Sequence, residues 1–324
     1  MNPMLALHGL PLVLQAAVPL ALIAWQLLSR HRSVVQWLIK TSLVAGYLIA
    51  FHRAGLWIVL PWYTALVFLA VDAGVALWQV RRVLALPWRA AQRSWVSIVG
   101  RATLALITIV VLVLAEAGRQ PPTDTMVDLR FPLADGVYYV AAGGSRTLIN
   151  SHLVTLTAER FGAFRGQSYG VDLLKLGPLG LRAAGLLPRD NKQYAIYGDR
   201  VFAPCSGVVV RAEDGAPDML PPEPDRSRKP GNHVLLDCAG VHVLLAHFSP
   251  GSVRVQAGEH VSTDTVVGLA GNSGNSNEPH LHIHAQRPAA SADAPFSGDP
   301  LPIRFDGQYL VRNDRVAARR PATR

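Results

Sequence analysis

Four apolar stretches in the first 120 residues constrain this chain more than anything else in it. They cover residues 10–28, 34–51, 56–80 and 97–115. Each is near the ~20 residues that a helix needs to cross a hydrocarbon core. The first has no basic run ahead of it and is followed by others, so it reads as a span and not as a cleaved leader. Most strong charges fall between the stretches: Arg30 and Arg32 after the first, Arg53 after the second, and Arg81, Arg82, Arg89 and Arg93 after the third, with Lys40 near the start of the second. Asp72, inside the third, is compatible with a polar pathway, a helix-to-helix hydrogen bond or a water-facing position.

The formal charge of +9 follows the same division. Residues 1–120 hold 10 Lys/Arg against 2 Asp/Glu, whereas residues 121–324 hold 21 against 20. The excess therefore sits among apolar stretches, where it sets topology in a lipid bilayer. It does not describe a phosphate-binding surface, and no nucleic-acid partner is expected. Placing the two basic loops in the cytoplasm puts the N-terminus and everything after residue 118 on the outer face of the cytoplasmic membrane. The expected organisation is a multi-span α-helical membrane domain over residues 1–118, a linker over 119–130, a second domain over 131–312 and a basic tail over 313–324.

The second domain reads as short strands separated by turn-formers. Gly136-Val137-Tyr138-Tyr139-Val140, residues 169–174, Gly207-Val208-Val209-Val210, Val234-Leu235-Leu236, residues 241–247, 253–255 and 266–270 are strand-like. Such spacing argues for an all-β, mostly antiparallel sheet or barrel. Residues 213–229, with Pro217, Pro221, Pro222 and Pro224, read as a surface excursion between two paired strands. Both cysteines, Cys205 and Cys238, lie in this half beside strand-like runs. Outside the cytoplasm a disulfide is favoured; zinc thiolates remain the alternative, without the close C-x-x-C spacing.

Pro279-His280-Leu281-His282-Ile283-His284 follows a run of turn-formers and alternates. In a strand its three histidines share one face, with Leu281 and Ile283 turned into a core. Taken alone, this is either a metal-binding strand or a histidine-rich surface strand. His152 and His247 are the other histidines that stand out.

In order along the chain, Gly170-Val171-Asp172, Ala203-Pro204-Cys205-Ser206-Gly207-Val208-Val209, His247 and His280-Leu281-His282 resemble the lysostaphin-type (LytM-like) zinc metallopeptidases. The resemblance covers roughly residues 130–312. It implies a single Zn2+ per site with Asp172 and His282 as ligands, His280 and His247 as catalytic non-ligands, and the peptides of peptidoglycan as substrate. One position departs from the family pattern: a histidine is expected four residues before Asp172, and this chain has Ser168. A related branch carries an N-x-H segment further upstream, matched here by Asn150-Ser151-His152, which makes His152 the expected third ligand and His284 the fallback. A catalytic zinc requires that third ligand. The function this implies is a membrane-anchored zinc metalloendopeptidase hydrolysing amide bonds. The alternatives are a catalytically inactive domain of the same type that binds or regulates cell-wall hydrolases, and a multi-span metal sensor.

Overall fold

Helix boundaries in the apolar half follow local chemistry. In the computed structural model, which describes residues 12–89, 95–291 and 294–319, helix α1 spans Val13–Leu28, α2 Val34–Ala54, α3 Thr64–Leu84 and α4 Trp95–Arg119. Leu10, Arg93 and the chain end from residue 320 lie outside the described residues. Ser33 opens α2 as its N-cap, its side chain accepting the Gln36 N–H at 3.2 Å. The third apolar stretch begins at residue 56, but its helix starts only at Thr64. Pro61 restricts the residue before it and lacks an N–H, so it belongs to the entry turn, where its carbonyl takes the Thr64 N–H at 2.9 Å.

The chain divides into two units, Met1–Glu116 and Ala117–Arg324. In the first, α2, α3 and α4 are long and apolar enough to cross a bilayer, while the described part of α1 is shorter. The expected four spans are thus three by length among the described residues. Polarity in this unit is inverted. Gln26, Gln79 and Asp72 are buried, whereas Leu77, Trp78, Ile107 and Val113 are exposed. Trp37 Nε1 donates to Gln79 Oε1 (3.1 Å), and Gln79 Nε2 donates to the Gln26 carbonyl (2.9 Å). Interhelical polar contacts under an apolar exterior suit a lipid surround.

The second unit is built on antiparallel pairing. Its strands are β1 Val127–Leu129, β2 Gly136–Ala142, β3 Val171–Leu176, β4 Arg200–Phe202, β5 Gly207–Glu213, β6 Asn232–Asp237, β7 His242–Phe248, β8 His260–Val261, β9 Val266–Leu269, β10 Leu281–Gln286, β11 Pro300–Leu301, β12 Ile303–Phe305 and β13 Arg315–Ala318. The main sheet runs β13-β2-β3-β10-β7-β6-β5-β8, with β11 beside β10. Two small pairs, β4-β9 and the parallel β1-β12, lie apart from it. Residues 253–255 form no strand, β1 falls in the expected linker, and β13 falls in the expected tail, where it pairs with β2.

One face of the sheet carries the core: Val140, Leu173, Val234, Leu236, Val243, Leu245, Leu281 and Ile283 belong to a single buried cluster. The opposite face is covered as well, so β10 is buried along its whole length. There Phe296 packs on Leu235, Leu244 and Ala246, and the 3-10 segment Glu159–Tyr169 comes so close that the Gln286 side chain leaves no room for a Cβ at Gly166. Cys205 and Cys238 are disulfide-bonded, Cα atoms 6.0 Å apart, where β5 pairs with β6 at Val208 and Asp237. The Pro-rich excursion links these same two strands.

Candidate metal centre

Register alone brings two of the expected ligands together. On β10, Leu281, Ile283 and Ala285 take the core side, which sends His282, His284 and Gln286 to the other. The β3–β10 ladder pairs His282 directly with Asp172, and directly opposed side chains start only ~5 Å apart. His282 Nδ1 lies 2.9 Å from Asp172 Oδ1.

His152 arrives from a turn. Its Nε2 is 3.5 Å from Asp172 Oδ2, and its ring centroid is 4.8 Å from that of His282. The turn is tied down by Asn150, which is fully buried. Asn150 Nδ2 donates to the carbonyls of Gly144 (3.0 Å) and Gly170 (3.2 Å). Its Oδ1 accepts the His152 backbone N–H (3.2 Å) and lies 3.0 Å from His152 Nδ1. An acceptor at Nδ1 selects the tautomer in which Nε2 carries the lone pair toward Asp172. Ser168, where the family pattern has histidine, serves the same turn from behind. It contacts Thr155 Oγ1 at 2.9 Å, and Thr155 in turn donates to the His152 carbonyl at 2.8 Å.

One ligand atom from each of His152, Asp172 and His282 lies within 4.8 Å of the others. Zinc binds such nitrogen and oxygen donors at about 2.0–2.2 Å, which spaces them about 3.3 Å apart in a tetrahedron. The donor types and the separations of 2.9 and 3.5 Å fit that ion. His282 Nε2, on the ring edge away from Asp172, is 2.9 Å from His284 Nδ1, the outward contact that orients a ligating imidazole. His284 thus stands behind His282.

His247 and His280 form a second pair, ring centroids 4.7 Å apart, with His247 6.0 Å from His282. Strict alternation along β7 would send His247 to the core side with Val243 and Leu245. It does not go there. The β6–β7 register slips between Asn232 and His233, leaving His247 without a partner in the ladder. The residue has φ +70°, the left-handed region. A bulge of this kind re-aims a side chain, and here it turns the ring toward His280. Both rings are held from their Nδ1 side. His247 Nδ1 is 2.8 Å from the Ser273 carbonyl, and His280 Nδ1 is 2.8 Å from the Glu278 carbonyl and 3.1 Å from Ser276 Oγ. Each therefore donates from Nδ1 and keeps a lone pair on Nε2, and His280 Nε2 is 3.7 Å from Asp172 Oδ1.

The electrostatics follow from burial. Burial pushes His152 down to about 4, against the pull of Asp172. It also pushes His247 and His284 well below the ordinary histidine value, with neighbouring histidines adding to the effect. Burial acts upward on Asp172, but His152, His280 and His282 around it hold its carboxyl far below the usual range. The result is an ionised carboxylate with the imidazoles of His152, His247 and His284, which resist a proton, around it, an arrangement that favours a cation. The supports from Ser273, Ser276 and Glu278 are not legible in the sequence as parts of the site, whereas Asn150 belongs to the N-x-H segment. For Ser273 and Ser276 the signal is the run of turn-formers at residues 271–276, which reads only as a turn.

Residues 193–294 match the model of peptidase family M23, so the chain carries a domain of that family. His247, His280 and His282 lie inside the matched segment; His152 and Asp172 lie before it. Among solved structures, the chain is similar to the catalytic domain, in a mutant form, of the prophage-encoded M23 protein EnpA from Enterococcus faecalis. That likeness is at 18% identity over 37% of this chain and 68% of that one, TM-score 0.26. The chain is similar to the catalytic domain of the antimicrobial peptidase lysostaphin from Staphylococcus simulans at 22% identity, over 39% and 71%, TM-score 0.25. A zinc-containing peptidase from Vibrio cholerae matches at 18% identity, over 36% and 26%, TM-score 0.23, so this chain spans about a quarter of that protein's length. No curated protein sequence matches the chain.

Proposed function

We propose that the Ala117–Arg324 unit is a zinc endopeptidase that hydrolyses amide bonds in peptidoglycan peptides at the outer face of the cytoplasmic membrane. The observation that carries this reading is the juxtaposition of two sets of side chains: three donors, His152, Asp172 and His282, and beside them the pair His247 and His280. The M23 match supports a hydrolase. The basic loops at Arg30 and Arg32 and at Arg81, Arg82 and Arg89 support the orientation, as does the disulfide.

Zinc held by the three donors supplies an acidified water and polarisation of the scissile carbonyl. The remaining roles belong to the chain. His280, its Nδ1 occupied by the Glu278 carbonyl, accepts a proton from the attacking water at Nε2 and passes it to the departing amine. His247, anchored to the Ser273 carbonyl, faces the oxygen that gains charge as the carbonyl is attacked, and donates to it when it carries the second proton. Water adds across the amide, giving a carboxylic acid and an amine.

The test uses the full chain in detergent, with zinc content and release of peptide fragments from purified peptidoglycan measured together. Wild type should bind one zinc and release fragments. His280→Ala should keep the zinc and lose about 100-fold or more in rate. A wild type that binds zinc and cuts nothing, or a His280→Ala variant as active as wild type, overturns the enzyme reading in favour of a domain that regulates other hydrolases.

A further inference from the structure

Asp172 and His282 are carried by strands, but His152 sits in the single turn Ser151–Leu153, at the end of a segment with no regular structure from residue 143. What holds that segment is the last turn of α4, whose residues from Ala117 onward belong to the same unit as the site. Ser145 donates its N–H to the Gly118 carbonyl (2.8 Å) and its Oγ to the Gln120 carbonyl (2.7 Å). Carbonyls at a helix C-terminus lack intrahelical partners and need such donors. Ile149, fully buried, packs so closely that a Cβ at Gly118 would come within 2.9 Å of its Cδ1 and 3.0 Å of Arg146 Cβ.

Arg119 makes the second connection, donating to the Arg312 carbonyl (2.9 Å) and to Asp314 Oδ1 (2.6 Å). Arg312 donates in turn to the carbonyls of Ala141, just before the segment, and Leu148, within it, each at 3.0 Å. From there the path is short. Gly144, at φ +120°, approaches Ile149 and the Gly118 carbonyl, and its own carbonyl receives Asn150 Nδ2. Asn150 Oδ1 then meets His152 Nδ1.

We infer that the carboxyl-terminal turn of α4 is part of the scaffold that positions His152, so that separating this turn from residues 144–149 lowers the metal affinity of the site. The turn from Ala117 to Arg119 then supports a ligand from within the same unit. The inference rests on His152 being a ligand.

The test is zinc affinity of the full chain in detergent, measured by competition with a chromophoric chelator. Gly118→Ala adds the crowding Cβ while raising helix propensity. Gly100→Ala makes the same change in α4 where nothing lies within 4 Å. Gly118→Ala should weaken zinc binding about 10-fold, the scale of lost support behind a ligand. Gly100→Ala should bind as wild type, and adding Ile149→Ala to Gly118→Ala should restore much of the loss. Ser145→Ala should weaken zinc binding with the unfolding midpoint of the metal-free protein unchanged, and it keeps the test alive if Gly118→Ala does not accumulate. If Gly118→Ala and Ser145→Ala bind zinc as tightly as wild type while His152→Ala does not, the inference is overturned and the site reading stands. If His152→Ala itself binds as wild type, the ligand assignment fails first.

Discussion

Asp172 and His282 face each other directly across the β3–β10 ladder, with Oδ1 and Nδ1 2.9 Å apart. Their separation is set by backbone pairing between adjacent strands, so it does not depend on a loop adopting one conformation. A donor pair preset in this way spends little ordering entropy when a cation arrives.

The carboxylate is the only negative charge this pairing offers, and its removal should be decisive. Asp172→Asn keeps the size and hydrogen-bonding capacity of the side chain while deleting the charge. Zinc affinity in chelator competition should fall by about 100-fold or more, with the circular dichroism spectrum unchanged because the β3 backbone pairing stays in place.

Asn150 should matter nearly as much as a ligand. Asn150→Ala leaves His152 Nδ1 without its acceptor and frees the turn from the Gly144 and Gly170 carbonyls. Zinc affinity should drop about 10-fold, and unfolding in urea should show a loss of about 1–3 kcal/mol, the scale for unsatisfied buried polar groups. Equal zinc affinity in the two proteins would remove Asn150 from the site.

The disulfide should be separable from the chemistry. Cys205 and Cys238 are 33 residues apart in sequence, and closing a loop of that size stabilises by about 3–4 kcal/mol in the chain-entropy account. A Cys205→Ser, Cys238→Ser double variant should unfold at lower urea with zinc affinity retained, since β5 and β6 lie away from the ladder joining Asp172 and His282.

Acid should weaken the fold through His233, on the same sheet face as the site. Its Nδ1 donates to the Gly231 carbonyl and its ring meets Phe296, while Nε2 has no hydrogen-bond partner among the described residues. Burial lowers its pKa; Glu213 opposes that and Arg211 adds to it. The folded state therefore resists a proton that the unfolded chain accepts. The stability contribution is full above the ordinary histidine value and is lost as pH falls below it. Between about pH 7.5 and about pH 5.5, spanning the ordinary value near 6.5, the urea midpoint should fall more for wild type than for His233→Gln. Parallel falls would assign the acid response to other groups.

The sheet and its chemistry were readable where side-chain parity and backbone register agree. His282, Leu281 and Ile283 separate by alternation, and Asp172 lies in a strand-like run that β10 can pair with. The apolar spans were legible from length and hydropathy, but the start of α3 was hidden by Pro61 inside an otherwise continuous apolar run. His152 emerged only through a family resemblance, because a turn that takes its shape from tertiary hydrogen bonds, through Asn150, Thr155 and Ser145, has no periodicity to read. His247 is the instructive case. Counting residues along β7 puts it on the core side, and nothing in Leu244-Leu245-Ala246-His247 announces the bulge that reverses it.

That bulge puts two separate demands, one of backbone and one of side chain, on a single residue. A left-handed backbone costs a non-glycine residue about 1–2 kcal/mol, and histidine, like asparagine, is among the residues found there most readily. Asparagine at position 247 would therefore meet the backbone's demand without supplying an imidazole. On the proposed chemistry, such a protein would lose the donor to the charged oxygen together with the imidazole's hold on the Ser273 carbonyl.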